Sequence, residues 1–324
     1  VNPTQIVLDL NTTGAAIGKS NITVTNPDGQ TATGIGVLHV NNGFSRSAHV
    51  ADFDGDGRSD VSVFRPSDGG WYLLQSSAGF TGVFWGANGD KIAPADYDGD
   101  GCTDIAIFRP TDGAWYILQS GTHTLRGAGF GLNGDVPTPA DYDGDGKADI
   151  AVYRPSAGVW YLLQSTAGFS AVVFGQAGDI PVAGYYDTDA KADVSIFRPA
   201  TGFWYRLNSS NGSFDFLRFG QNGDKPVVGD YDGDGRSDFA VFRPGDNTWY
   251  AQSIATGIPL FSRPFGAPGD LPAPGDFDGD AKTDTAIYRP ASGGWYVWQS
   301  SNNTVTGVTF GFSTDLPVEG AYVP

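Results

Sequence analysis

The 324-residue chain contains no methionine, one cysteine and three histidines. A single thiol, Cys102, rules out an intrachain disulfide, so no covalent bridge holds the fold. His39, His49 and His123 do not have zinc-binding spacing. Glutamate is equally scarce: Glu319 stands alone beside 35 aspartates. Glycosidase chemistry on this chain would therefore need two aspartates as its carboxylate pair. No stretch approaches the about 18 consecutive apolar residues of a membrane-spanning helix, which argues against membrane insertion. No cluster of Lys and Arg offsets the formal charge of −17, which argues against a nucleic-acid partner. A Gly-x-Ser-x-Gly elbow and a phosphate loop are both missing, so the expectation is a protein that is not an enzyme. The chain begins at Val1 without a signal peptide and reads as a mature or trimmed piece.

What fills the chain is a repeated acidic loop. The first copy runs Asp52-Phe53-Asp54-Gly55-Asp56-Gly57-Arg58-Ser59-Asp60. Its first aspartate recurs at Asp96, Asp141, Asp230 and Asp276, with Tyr185 in that slot of the fourth copy. The steps are 44, 45, 44, 45 and 46 residues, a period that signals a repeat architecture. Five copies hold four aspartates and the fourth copy holds three, so 23 of the 35 lie in these loops. That distribution suits hard cations rather than a solvating tail. Five divalent ions would take the charge from −17 to about −7 (−17 + 10).

The loop chemistry follows from spacing. Oxygen ligands at positions 1, 3, 5 and 9, with a main-chain carbonyl at 7, can wrap calcium. In the first copy these are Asp52, Asp54, Asp56, the Arg58 carbonyl and Asp60. Gly55 and Gly57 permit the tight backbone such a wrap needs. Position 12 is Val63 rather than a bidentate glutamate, and strand periodicity follows instead of a helix. The alternative is a metal-free Asp/Gly turn, but four carboxylates held that close repel one another.

The rest of each copy reads as strands. Val61-Ser62-Val63-Phe64-Arg65-Pro66 alternates with period two, keeps a small second residue and ends on proline. A turn then leads to a strand with a Trp-Tyr pair at Trp71, Trp115, Trp160, Trp204, Trp249 and Trp295. A further strand ends in Phe-Gly or, in the first copy, Phe84-Trp85-Gly86, and a Pro-containing strand such as Ile92 to Tyr97 leads to the next loop. Four short strands per copy cannot bury a face alone. Stacking copies and closing the stack into a ring gives an all-β propeller of four-stranded blades.

These motifs resemble FG-GAP or VCBS-type repeats, the repeats of integrin α-chain propellers, certain fungal lectins and many bacterial surface proteins. The resemblance covers about residues 45–324, leaving 1–44 as a separate N-terminal β segment. It implies calcium in the loops between the first two strands of a blade. Carried over, the ligands are Asp96, Asp98, Asp100, the Cys102 carbonyl and Asp104 in the second copy. In the third they are Asp141, Asp143, Asp145, the Lys147 carbonyl and Asp149. In the fifth they are Asp230, Asp232, Asp234, the Arg236 carbonyl and Asp238. The sixth keeps Asp276, Asp278, Asp280, the Lys282 carbonyl and Asp284, with Ala281 in a glycine slot. The fourth has Tyr185, Thr188 and Ala190 beside Asp187, Asp189 and Asp193, and is expected to bind weakly or not at all.

At the ends the repeat breaks down. Residues 1–44 suggest strands near Gln5–Leu10, Asn21–Asn26 and Thr31–Val40, and Thr23 to Thr31 resembles the closing hairpin of an IPT/TIG immunoglobulin-like domain. Leu316 to Tyr322 begins a seventh copy and stops. The expectation is seven blades, the last a composite of both termini; the alternative is six blades plus spare terminal strands. Spare strands would allow self-assembly by strand addition into a filament.

The functional expectation is a calcium-stabilised adhesion or recognition module that is extracellular or on the cell surface, with a carbohydrate or surface-protein ligand. Sequons at Asn11, Asn21, Asn208, Asn211 and Asn302 fit a secreted setting. The per-copy Arg (Arg65, Arg109, Arg154, Arg198, Arg243, Arg289) with its Trp-Tyr pair reads either as blade packing or as repeated sugar pockets. Loops that differ between copies, Ser120–Gly127 and Ser209–Asp215, are the expected partner sites.

Overall fold

A computed structural model describes residues 18–25, 31–40 and 51–324. From residue 51 on, the chain forms six four-stranded antiparallel sheets. Each sheet follows chain order from its first strand to its fourth. The second blade, for example, is Lys91–Ile92, Ile105–Arg109, Ala114–Leu118 and Leu125–Gly129. Its first strand is only two residues long. The expected strand Ile92 to Tyr97 is shorter: beyond Ile92 the pairing continues only through the Ala93 amide, which donates to the Ala106 carbonyl at 2.8 Å, and the Ala95–Asp104 bridge.

The first blade holds the correction to the seven-blade expectation. Its inner strand is Leu316–Pro317, which pairs with Val61–Arg65. The C-terminal segment therefore completes blade 1, and the ring has six blades. The composite blade exists, but it is made from the C-terminal strand and the first repeat. Among the described residues the N-terminal strands Gly18–Thr25 and Thr31–Val40 pair with each other alone, as a two-stranded sheet. Gln5–Leu10 and the turn 26–30 of the immunoglobulin-like reading lie outside the described residues.

Packing between blades explains the repeated aromatics. Each Trp of the Trp-Tyr pair is fully buried against the next blade. Trp115 and Phe108 of blade 2 meet Ile150 and Val152 of blade 3. Trp295 and Tyr288 of blade 6 meet Val63 of blade 1, which closes the circle. The indole N–H is satisfied within its own blade: Trp160 donates to the Phe174 carbonyl at 3.0 Å. A buried Trp thus contributes apolar area without an orphaned donor.

The recurring Arg is equally internal. Arg154 donates two hydrogen bonds to Asp135, both at 2.8 Å, and lies 4.4 Å from the Tyr161 ring centroid. The same fork joins Arg65 to Asp315, Arg109 to Asp90, Arg198 to Asp179, Arg243 to Asp224 and Arg289 to Asp270. Each aspartate precedes the first strand of the blade, so the fork ties the innermost strand to the second. The Trp is inaccessible and the guanidinium is committed to its aspartate, so the set serves blade packing. The turn before the third strand favours glycine. Gly158 has φ 62°, and a Cβ there would strike the Gly175 carbonyl. In blade 5 the slot holds Asn247 at φ 53°, a residue that tolerates this region.

Closure makes a direct prediction. Ending the chain before Leu316 removes the inner strand of blade 1 together with buried Val318 and Glu319. We expect the melting temperature to fall by about 10 °C or more by calorimetry, the equivalent of several kcal/mol. An unchanged melt would show that closure adds nothing.

Candidate metal sites on a ring of loops

The six acidic loops form a closed circle of main-chain hydrogen bonds. The amide at position 8 of each loop donates to the carbonyl at position 1 of the preceding loop. Thr103 donates to Asp52, Ala148 to Asp96, Ala192 to Asp141, Ser237 to Tyr185, Thr283 to Asp230 and Ser59 to Asp276, all at 2.6–2.7 Å. Each loop is also closed at its base, where the position-9 amide bonds the residue before the loop, as in Asp104 to Ala95 at 2.8 Å. Sequence reading found the loops but not this circle, which needs the blade-to-blade register.

Within a loop, the first aspartate organises the turn. Asp52 Oδ1 accepts from the Gly55 amide at 2.7 Å, and Oδ2 accepts from Gly57 at 3.0 Å. Position 9 spans the blade: Asp60 accepts from Phe53 at 2.8 Å and from Ser76, in the turn between the third and fourth strands, at 2.7 Å. Position 3 reaches the same turn, with Asp54 Oδ2 accepting from Ala78 at 2.9 Å. Position 5 accepts from hydroxyls there, such as Ser120 to Asp100 at 2.9 Å. These serines and threonines were missed as site residues. Their signal is the serine that recurs after Gln or Asn at Ser76, Ser120, Ser165, Ser209, Ser253 and Ser300.

Five carboxylate triads result, each with ligand atoms within 4.8 Å of one another. Positions 1, 3 and 9 make four of them: Asp52, Asp54 and Asp60; Asp96, Asp98 and Asp104; Asp141, Asp143 and Asp149; Asp276, Asp278 and Asp284. In the fifth copy the triad is Asp230, Asp232 and Asp234. The fit to a cation is tested by oxygens left over. Asp54 Oδ1, Asp143 Oδ1 and Asp278 Oδ1 are buried and have no hydrogen-bond partner. A buried anionic oxygen without a donor, beside two more carboxylates, is costly until a cation meets it. These clusters can hold a metal ion.

The fourth loop differs in kind. Among the described residues no triad forms there. The Tyr185 hydroxyl instead accepts from the Asp141 amide at 3.2 Å. Asp187 and Asp189 accept protein donors, from the Asp189 amide at 3.0 Å and the Ser209 hydroxyl at 2.9 Å respectively.

Electrostatics follow from this crowding. Burial pushes the carboxyls of Asp52, Asp60, Asp104, Asp238, Asp276 and Asp284 up to about 7, and those of Asp96, Asp149 and Asp230 up to about 6. Main-chain donors pull the other way, while neighbouring aspartates add to the rise. Unfolded aspartates release their protons near about 3.9. Without metal, the folded chain therefore binds more protons than the unfolded chain between pH 4 and 7. Stability from this source is present near pH 4 and is lost as pH rises through about 7. We predict that in chelator the melting temperature falls from pH 5 to pH 8, and that a divalent cation removes or reverses the fall. A metal-free melt that climbs steadily to pH 8 would contradict this.

Position 6 yields a second prediction. Gly57, Gly101, Gly146 and Gly235 sit at φ 86–93°, and Ala281 occupies the same slot at φ 67°. An alanine there costs roughly 1–2 kcal/mol, offset in part by the freedom glycine has when unfolded. Ala281→Gly should stabilise the chain by about 0.5–1 kcal/mol in urea unfolding; a loss of stability would contradict the strain.

The ring surrounds a central cavity of about 730 Å³ whose mouth is edged by the loops. Its wall includes Pro94, Pro139, Ala183, Val228 and Pro274, with Glu319 at the equivalent place in blade 1. Glu319 is buried, and the Ser62 hydroxyl donates to it at 2.9 Å. Tyr322 donates to the Pro94 carbonyl at 2.7 Å, holding the C-terminal tail in the cavity.

Together these features define a six-bladed β-propeller with acidic inter-strand loops. Comparison with known families agrees: the FG-GAP-like repeat matches residues 52–107 and 96–152, and the FG-GAP repeat matches 133–173. The matches cover residues 52–173, and the same four-stranded architecture repeats in all six blades. The matches give no support to an immunoglobulin-like N-terminal piece. No curated protein matches the chain. Among solved structures, the chain is similar to a streptogramin B lyase at 11% identity and TM-score 0.54, covering 83% of this chain and 85% of that one. It is also similar to virginiamycin B lyase from Staphylococcus aureus, at 9% identity and TM-score 0.53, covering 86% and 88%. An Agrocybe aegerita lectin with specific recognition of non-reducing terminal N-acetylglucosamine matches at 17% identity and TM-score 0.52, covering 83% and 79%. At these identities the likeness shows the propeller fold alone.

Proposed function

We propose that this chain is a calcium-stabilised extracellular propeller that serves adhesion or recognition and performs no chemistry of its own. The observation that carries this reading is the set of five carboxylate triads on one hydrogen-bonded circle. Oxygen-only ligands on flexible acidic loops favour calcium over softer metals. Weak sites of this kind fill at the millimolar calcium found outside cells. The ion's role is structural: it neutralises loops that join one blade to the next, and so steadies the faces and grooves a ligand meets. That ligand is a surface protein or a carbohydrate.

A filament subunit is the second reading. The strand that a donor mechanism would offer at the C-terminal side, Leu316–Pro317, is already paired with Val61–Arg65. Ring closure uses that strand, which favours the recognition module.

Thermal unfolding tests the proposal. A metal that binds only the folded chain contributes RT ln(1 + [L]/Kd), about 2.7 kcal/mol per site at a hundredfold excess. Calcium at a few millimolar should raise the melting temperature over a chelator-treated sample by about 10 °C or more. Asp54→Asn, which keeps the shape but removes charge, should reduce that rise. A melt indifferent to calcium would remove the proposal.

A further inference from the structure

Blade 4 departs from the plan its five sisters share. In its third strand, Phe203–Leu207, Phe203 replaces Gly70, Ala114, Val159, Thr248 or Gly294. In its fourth strand, Phe214–Arg218, Phe216 replaces Gly82, Gly127, Ala171, Ser262 or Gly307. Arg218 lies opposite Phe203, at a register position where no other blade carries a charge.

The strand alternation puts Phe203, Tyr205, Phe214, Phe216 and Arg218 on one face. The four rings are contiguous. Tyr205 lies 5.9 Å from Phe203 and 6.1 Å from Phe214, with interplanar angles of 29° and 18°. Phe216 lies 6.1 Å from Tyr205 and 5.9 Å from Phe214. Phe214 is 54% exposed and Phe216 59% exposed. Phe214 also touches Phe174 of blade 3, a contact of the kind other blades make, so it belongs partly to packing. Phe203 and Phe216 have no such counterpart. Arg218 is exposed and makes no ion pair among the described residues. Phe214–Arg218 is the outer strand of its sheet, so one side of its main chain is open to pairing.

Exposed aromatic rings beside an arginine are the composition of a protein–protein contact centre. A sugar site needs several converging polar groups. Here the second guanidinium near the rings, Arg198, is committed to Asp179. We propose that this face docks an extended segment of a partner protein that adds along Phe214–Arg218. The segment places an apolar side chain on Phe216 and an acidic one against Arg218. Alternate residues of an added strand share a face, so those two side chains sit two positions apart. The inference rests on the recognition reading above and names the partner class and the place.

A phage-displayed random peptide library, panned on the full chain in calcium, tests this. The double variant Phe216→Ser with Arg218→Thr serves as counter-target. Blades 5 and 6 carry those residues in the same slots, so the variant should fold, and its melting temperature should stay within about 2 °C. We expect enrichment of peptides with Leu, Ile or Phe two positions from Asp or Glu. A synthetic peptide of that type should bind the variant at least tenfold more weakly and lose affinity in high salt. Peptides that bind both forms equally would overturn this site and leave the recognition reading standing. A glycan-array signal that disappears in the variant would overturn the peptide assignment in favour of a sugar. No binding from either library would overturn both.

Discussion

The structure depends on how closely packed carboxylates are neutralised. Each of five loops brings three aspartates within 4.8 Å, and at positions 1 and 9 they are nearly or wholly buried in most copies. Main-chain amides meet some of their oxygens, but Asp54, Asp143 and Asp278 each keep one buried oxygen unanswered. Such a site either holds protons or holds a cation. Because each loop carbonyl at position 1 also takes the amide of the next loop, the electrostatic state of one site bears on its neighbour's backbone. The acidic loops and the ring are thus one unit.

Other contacts secure the blade away from those loops. The Arg–Asp fork ties innermost to second strand, a Tyr ring covers the guanidinium, and a buried Trp seals each blade against the next. Blade 1 receives its inner strand from the C-terminal side, so the ring is closed by ladder bonds as well as by side chains. The outer edge differs: outer strands carry exposed Phe80, Phe169, Phe214 and Phe216. The scaffold is therefore repetitive inside and free to vary outside, which suits a protein that presents surfaces.

Much of this was legible in the sequence because the determinants are local. The period gave the blades, Asp spacing gave the loops, and the Pro after each Arg marked the strand ends. Ala281 was legible as an ill-fitting residue, and its φ of 67° confirms the left-handed slot. Blade number was not legible. Leu316 to Tyr322 looks like the start of another repeat, and only pairing with Val61–Arg65 reveals it as the missing strand of the first. The Arg and Trp-Tyr set left packing and ligand contact open, since repetition serves either; burial decides for packing. The serine turn that supports positions 3, 5 and 9 was hidden because those residues lie 16–24 positions away in the chain. The circle of loop amides was hidden because it joins different blades.

The central claim is that five loops, and not the fourth, hold calcium. Equilibrium dialysis of the folded chain against millimolar calcium reads this as a count of bound ions. The account predicts five ions per chain, falling to four when Asp143 is replaced by asparagine. A folded chain that retains no ion, or one that retains six with the fourth loop filled, would contradict it.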